Sequence, residues 1–506
     1  MLDAAMIALE NIFGCPCYLE VIPIPLAMLF AGVLFGLFLG AMPGLGGIVG
    51  LAIILPFTYD MDTTSALAIM IGVTAVVSTS DTIPAVLFGV PGTASAQATV
   101  MDGHPMAVKG EAGRAFGAAY MSSLIGGLVG ACLLAVSIPI LRPLVLMFCS
   151  PEFFMLGLLG ISMVAVLAGS APIKGLVAGA IGLIVGTVGS DPQLGELRYT
   201  FGHLYLWDRV PLVPVALGLF AIPEMVDLVV KGTKISNVPT KAMKGVAVGI
   251  RDAFDNWFLV LRCSALGTWI GFIPGLGASV VDWFAYGHAA QTVKGARETF
   301  GKGDVRGVIA PESANNAREG GALIPTVAFG IPGSSSMALI LGGLMIQGIQ
   351  PGPSMLKEHL DLTYTLVWSL ALSNIFGTVI LMFLTSQVAK LTQVRINIIA
   401  PIILAVVFLA AFQATAAMGD LGILMTAGVL GWLMKRFAWP RPPMVLGLVL
   451  ANILERNLWI STNRYGLDWL LRPGVIAIFL LIIASLAYGF YMANKGGKQE
   501  APATKG

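Results

Sequence analysis

The chain has 506 residues, of which 57% are hydrophobic and only 11% charged, with a formal net charge of +2 and a mean hydropathy of +0.87. An ordinary soluble protein carries roughly a quarter of its residues charged, so a soluble globular enzyme is excluded, and the near-neutral balance excludes a nucleic-acid partner. What remains is an all-α polytopic membrane protein embedded in a lipid bilayer, with room for roughly ten to twelve spans.

Gly (61) and Pro (29) are too frequent for a bundle of plain spanning helices. Such breakers persist at membrane depth where backbone is buried in protein or lines a cavity, as in transporters with broken helices. Along the chain, an N-terminal segment 1–20 has no basic leader, so no cleavable signal peptide is expected. Cys15 and Cys17 are too close for a routine disulfide, and the five cysteines have no zinc-site spacing. Residues 21–230 form transmembrane repeat 1: an apolar pair, 21–57, that enters and leaves on one side; crossings near 63–80, 115–138, 153–170, 175–190 and 211–229; and a re-entrant Pro-Gly segment, 82–100. Residues 231–256 are a cytoplasmic linker. Residues 257–456 form repeat 2: an apolar pair, 257–290; crossings near 308–320, 364–384, 396–416, 420–434 and 443–455; and a re-entrant segment, 322–349. Residues 457–493 hold a last span, 473–492, with its preceding loop, and 494–506 are a cytoplasmic tail. The count is about 11 crossings plus the re-entrant hairpins. The segment 308–320 carries Glu312, Asn315, Asn316, Arg318 and Glu319, so it crosses only inside the protein.

Orientation follows from charge. No Lys or Arg precedes Lys109. Basic residues mark cytoplasmic loops, and this threading brings every basic cluster, from Lys109/Arg114 to Lys495/Lys498/Lys505, to the cytoplasm. The N-terminus is then outside and the C-terminus inside.

The halves repeat. Gly40-Ala41-Met42-Pro43-Gly44-Leu45-Gly46 is matched by Gly271-Phe272-Ile273-Pro274-Gly275-Leu276-Gly277, 231 residues on. Pro84–Thr93 is matched by Pro325–Ser334, 241 residues on, and Pro214–Leu219 by Pro443–Leu448, 229 residues on. Each repeat has an odd number of crossings, so the two are inverted, an architecture of secondary transporters with substrate and ions near the midplane.

The matched breakers carry the chemistry. Pro-Gly-Leu-Gly stops a helix and exposes unpaired backbone groups; this points to Gly44, Gly46, Gly275 and Gly277 as substrate ligands, against a tight turn made for packing. Ser78-Thr79-Ser80-Asp81-Thr82 before Pro91-Gly92-Thr93-Ala94-Ser95 is paired with Ser313-Ala314-Asn315-Asn316 before Pro332-Gly333-Ser334-Ser335-Ser336. Polar clusters at membrane depth are costly unless satisfied. Gly92, Thr93, Ser95, Gly333, Ser334 and Ser335 are candidates for donors to an anionic substrate, and Ser80, Asp81, Asn315 and Asn316 for oxygens holding or gating a coupling cation, Na⁺ or H⁺. The bland alternative is hydroxyls bonded back to the preceding turn. Glu312, Arg318 and Glu319 read as a structural ion pair or gate, Asp102-Gly103-His104-Pro105 as a polar turn, and Arg262 as an anion attractor or a packing arginine. Gly32-x3-Gly36-x3-Gly40 and Gly175-x3-Gly179 read as close helix packing. There is no G-x-x-x-x-G-K-[ST], H-E-x-x-H or G-x-S-x-G, no metal array and no cofactor motif, so enzyme chemistry is unsupported.

These stretches, above all Gly40–Gly47, Pro91–Ala112 and Pro311–Ala338, resemble the large membrane (permease) subunit of the bacterial tripartite tricarboxylate transporter family. The resemblance covers nearly the whole chain. His104 departs from the Tyr common in that family, and Ser80-Asp81-Thr82 from a Gly-Gly-Ser type of sequence. The resemblance implies ion-gradient-driven import of carboxylates such as citrate across the bacterial inner membrane. It implies a small membrane subunit and a periplasmic binding protein as partners, and an elevator-type movement of a transport domain past a scaffold. The alternative is a channel or scaffold subunit with no substrate site of its own.

Overall fold

The computed structural model describes residues 1–14, 23–42, 45–167, 172–191, 193–231, 245–275, 278–391 and 396–496. Pro43, Gly44, Leu276 and Gly277, the tips of the two Pro-Gly-Leu-Gly turns, lie outside these residues in part or whole: Gly44 and Gly277, both candidate ligands, are among those not described.

The first half holds α1 (Leu2–Phe13), the hairpin of α2 (Ile24–Ala41) and α3 (Gly47–Ile54), α4 (Thr63–Ser80), the short α5 (Thr82–Phe88), α6 (Gln97–Val108), the long α7 (Ala112–Leu146), α8 (Ser150–Leu167) and α9 (Pro172–Gly186). It closes with α10 (Leu212–Ala216), which runs through a π-helical turn into α11 (Ile222–Lys231). The second half holds α12 (Val246–Asp255), the hairpin of α13 (Trp257–Phe272) and α14 (Ala278–Thr292), α15 (Ala296–Thr299), α16 (Val305–Phe329), α17 (Ser335–Ile346), α18 (Pro353–Lys357), α19 (Leu360–Leu391), α20 (Ile396–Gln413), α21 (Met418–Arg436) and α22 (Pro442–Tyr465). The helix α23 (Pro473–Gly496) comes last. Among the described residues the only sheet is a two-residue hairpin, Gly189–Ser190 against Leu197–Arg198.

Five described helical stretches are long and apolar enough to cross a membrane: Ile24–Ala41, Thr63–Phe88, Ala112–Leu146, Leu360–Val388 and Pro442–Tyr465. Shorter apolar helices accompany them. Large apolar side chains such as Phe284, Trp269 and Phe383 stand exposed, as lipid-facing side chains do. The protein is a multi-pass, all-α membrane protein.

Helix α16 departs from the expected break between 308–320 and 322–349: it runs unbroken from Val305 to Phe329, through Pro311 and Pro325. Residues Val305 to Ala328 are almost all buried, and surrounding protein is the setting in which helix-interior prolines are tolerated at membrane depth. Asp304 caps its start, accepting from the Arg306 backbone N–H at 2.9 Å. Burial opposes ionisation of Asp304, but bonds from Arg306 and Thr299 hold its pKa below the ordinary carboxylate value. The expected turn at Asp102–Pro105 is helical, inside α6.

Glycines set how closely the helices approach. A Cβ on Gly36 would fall 2.4 Å from the Val73 carbonyl oxygen, joining α2 to α4, and one on Gly126 2.1 Å from the Ser313 carbonyl oxygen, joining α7 to α16. A Cβ on Gly267 would lie 2.2 Å from the Ala314 carbonyl oxygen, joining α13 to α16. Small residues of this kind allow backbones to meet in a membrane, where apolar side chains gain little by leaving lipid.

Candidate functional site

Two Pro-Gly segments share one local geometry. Helix α5 ends at Gly89 (φ 66°) and α16 at Gly330 (φ 69°), each in the left-handed conformation that glycine adopts without a Cβ penalty. Thr93 and Ser334 then cap the next helical turns, accepting from the backbone N–H groups of Ser95 (3.2 Å) and Met337 (3.3 Å). A Cβ on Gly92 would strike Asp81, and one on Gly333 would strike Ala322. Position 81 therefore corresponds to 322, not to the Ser313–Asn316 stretch with which the polar residues pair by eye, and the two polar clusters occupy different turns.

The hairpins cross over. Ser336 Oγ is 4.0 Å from where a Cβ on Gly47 would stand, so the first hairpin's tip meets the second Pro-Gly segment. The second hairpin's α14 meets the first segment: Asp282 accepts from the Ala98 backbone N–H, and the Trp283 indole donates to Gln97 at 3.2 Å.

At the centre, Asp81 sits between α4 and α5 with no exposure. Its Oδ2 accepts from the Ser95 hydroxyl at 2.7 Å and from the Thr93 hydroxyl. Asn315 and Asn316, on α16, are also fully buried. Asn315 donates to the Ser95 carbonyl oxygen and, at 3.3 Å, to Asp282. Asn316 donates at 2.7 Å both to Thr79 Oγ1 and to Asn374 Oδ1 on α19. These acceptors fix which end of each amide points where, since the Asn374 amide itself donates to the Leu370 carbonyl (2.8 Å). Three buried oxygens are then left with no partner: Asp81 Oδ1, Asn315 Oδ1 and Asn316 Oδ1.

Other candidates are arranged differently. The Ser80 hydroxyl lies on backbone carbonyls, at 3.3 Å from Val76 and Val77 and 3.5 Å from Gly36, the back-bonded arrangement. Gly275 (φ 87°) packs against α8, where a Cβ would fall 2.6 Å from the Met163 carbonyl oxygen. Gly46 caps α3. Ser334 and Ser335 are half-buried, and among the described residues no hydrogen bond joins residues 92–95 to 333–335. Arg318 pairs with its neighbour Glu319, whereas Glu312 takes no part in that pair. The Arg262 guanidinium lies over the Phe258 ring, 5.7 Å from its centroid. Among the described residues no group of three His, Cys, Asp or Glu is placed to hold a metal ion.

A cavity of about 500 Å³ opens beside Gly330 and is lined in part by Gln350, Lys357, Asn452 and Arg456. Among the described residues neither Lys357 nor Arg456 has a carboxylate within ion-pair distance. Sequence reading missed Asp282, Thr99, Ser123 and Asn374; each is a buried polar residue, and the signal that could have found them is that a polar group at membrane depth needs a partner.

The chain matches the family described as "Tripartite tricarboxylate transporter TctA family" over residues 26–446. It is 31% identical over 446 residues to an "Uncharacterized 52.8 kDa protein in TAR-I ttuC' 3'region" of Agrobacterium vitis, covering 86% of each chain. It is 29% identical over 192 residues to an "Uncharacterized protein in TAR-II ttuC' 3'region" of the same organism, covering 38% of this chain and 79% of that one. No solved structure matches it.

Proposed function

This chain belongs to the TctA family of tripartite tricarboxylate transporters, and we propose on that premise that it is a cation-coupled carboxylate permease whose ion site is the Asp81–Asn315–Asn316 centre. Membership makes it the large subunit of a tripartite transporter, in a family of transporters rather than enzymes. The observation that carries the finer reading is the set of three unpartnered oxygens. A buried acceptor without a donor is destabilising, and hard oxygen donors suit an alkali cation. Asp81 supplies the charge, and the two amides supply neutral ligands from α16. Because the centre joins the α4–α5 junction to α16, a bound cation ties the two halves together, while its loss leaves three oxygens unsatisfied.

The carboxylate is then held by the Pro-Gly segments, through Gly92, Thr93, Ser95, Gly333, Ser334 and Ser335 with the hairpin tips at Gly44, Gly46, Gly275 and Gly277. Lys357 and Arg456, in the cavity beside Gly330, attract it electrostatically on its approach. The recurrence of the Pro-Gly geometry 241 residues apart supports two inverted repeats, and the crossed hairpins support movement of one part past another, elevator fashion. A small membrane subunit and a periplasmic binding protein complete the importer in the bacterial inner membrane.

Reconstituted with those partners, the permease is expected to accumulate carboxylate when a Na⁺ or proton gradient is imposed. Saturable accumulation separates a transporter from a channel or scaffold; uptake indifferent to every gradient would remove the coupling. Orientation has its own test. In a cysteine-free background, a cysteine replacing Asp62 is expected to label from the periplasm and one replacing Lys241 is not; the reverse pattern inverts the topology.

A further inference from the structure

Glu312 lies on α16 with no exposure. Its Oε1 accepts from the hydroxyls of Thr82 and Thr99, each at 2.8 Å, and its Oε2 from Ser123 at 2.9 Å. Those donors come from α5, α6 and α7, so one carboxyl group joins three helices of the first half to one helix of the second. Among the described residues no Lys, Arg or His forms an ion pair with Glu312, and the same holds for Asp81 and Asp282. Buried carboxylates without a cation are unfavourable because their desolvation goes uncompensated, and such groups are neutralised by protons or by bound cations.

The two centres differ in what they lack. Asp81, Asn315 and Asn316 each leave an oxygen unpartnered, which suits a cation. Both Glu312 oxygens already have donors, and all the donors are hydroxyls. A hydroxyl both donates and accepts, and Ser or Thr in a helix has a fallback acceptor in the carbonyl three or four residues back. A proton arriving on Glu312 therefore turns an acceptor into a donor, and one of the three hydroxyls reverses to receive it. An alkali ion, in contrast, finds neither Glu312 oxygen free and must first turn a donating hydroxyl away from the one it approaches.

We propose that Glu312 is a proton site separate from the Asp81 centre, and that its protonation state sets how tightly α16 is held to α5, α6 and α7. This rests on the transport reading above and adds a second, distinct ion to it. The proton is taken from water on one side and released to water on the other.

The other titratable and charged groups on elements packed against α16 are accounted for. Asp81 is the chain neighbour of Thr82, which donates to Glu312, and Asp282 accepts from Ala98 and Asn315. On α6, Asp102 accepts from Tyr286 of α14 and from the backbone of Gly303 and Asp304, each at 2.8 Å, and His104 Nδ1 is 3.1 Å from the Val86 carbonyl oxygen. On α7, Arg114 pairs with Asp252 of α12, and the Tyr120 hydroxyl receives that of Thr385 at 3.4 Å. The others among the described residues are Cys132 and Arg142 on α7, His288 on α14, Arg262 and Cys263 on α13, Arg251 and Asp255 on α12, Lys357 on α18 and Asp361 and Tyr364 on α19, with Arg306, Arg318 and Glu319 on α16 itself.

The test uses the permease reconstituted with its partner subunits, with Na⁺ clamped equal on the two sides. A one-unit pH gradient is about a tenfold difference in proton activity, and wild-type uptake is expected to respond to it. Glu312→Gln, which resembles the protonated form, is expected to keep Na⁺-driven uptake and lose the response to the pH gradient. Ser123→Ala removes one donor to the ionised form and is expected to keep uptake while moving its pH profile to the alkaline side; this variant decides the matter if Glu312→Gln does not fold. The proposal is overturned if wild-type uptake follows Na⁺ but ignores the pH gradient. It is equally overturned if Glu312→Gln responds to that gradient as wild type does, or if Ser123→Ala leaves the profile unmoved. Indifference to every ion gradient would instead overturn the transport reading beneath it.

Discussion

Replacing Asp81 with Asn is expected to raise the cation concentration needed for half-maximal uptake by about 10- to 100-fold, the equivalent of losing roughly 1.5–3 kcal/mol of interaction with a charged group. The substitution keeps shape and an acceptor for Thr93 and Ser95, so folding is largely preserved, but it removes the negative charge of the centre. Asn316→Ala, which removes a neutral ligand and the bonds to Thr79 and Asn374, is expected to shift the same quantity less, by about one kcal/mol, or roughly fivefold. The measurement is initial uptake as a function of cation at fixed carboxylate. An unchanged cation dependence in Asp81→Asn would remove Asp81 from the ion site.

The second large effect is on the scaffold. Gly126→Val is expected to prevent α7 from seating on α16, because the first added carbon would stand 2.1 Å from the Ser313 carbonyl oxygen. Backbone cannot give way as a flexible side chain does, and overpacking of this kind costs about 1–3 kcal/mol or more. The position also lies one turn from Ser123, so the displacement reaches Glu312. Thermal unfolding in detergent and the yield of monodisperse protein report the result. Gly110→Ala serves as the contrast. Nothing lies within 4 Å of a Cβ there, and any cost is confined to its left-handed backbone (φ 84°). Equal loss in the two variants would show that helix approach is not what Gly126 serves.

Much of this arrangement is legible in the sequence, and particular residues show where legibility ends. The helix breaks expected within 21–57 and 257–290 appear between α2 and α3 and between α13 and α14, because proline and paired glycines interrupt the apolar runs there. The Gly32/Gly36/Gly40 stripe reads as close packing and is so, against Ile69, Val73 and Val77. The burial of nearly all of α16 follows from its charges, which no lipid-facing helix would carry. Pairing of the polar clusters is less legible. Ser78–Thr82 and Ser313–Asn316 look alike in composition, yet they differ in distance from their Pro-Gly segments: the 241-residue offset puts Ala322 opposite Asp81, and the contacts of Gly92 and Gly333 agree with it. Asp282, Thr99, Ser123 and Asn374 stay hidden for a related reason. Local periodicity locates a polar residue on its own helix but says nothing about which other helix it meets.

Ser80 and Asp81 make the same point at closer range. Adjacent in sequence and alike in burial, they face different partners: the Ser80 hydroxyl closes on its own helix and on Gly36, while Asp81 reaches the Thr93–Ser95 turn. Helical bonding continues through Asp81, whose N–H donates to the Val77 carbonyl, so the two adjacent side chains point about 100° apart and meet different neighbours.

The central claim is that cation and carboxylate move together through one polar centre. Coupling is reciprocal, so the most direct measurement reverses the usual experiment. Sealed vesicles holding the assembled transporter, with no cation gradient, are given an inward carboxylate gradient, and cation entry is followed by sodium uptake and internal pH. The expected result is cation entry that scales with carboxylate entry and, at a fixed low cation concentration, falls in Asp81→Asn for the ion held at that centre. Carboxylate moving down its gradient at the wild-type rate with no accompanying cation would contradict it.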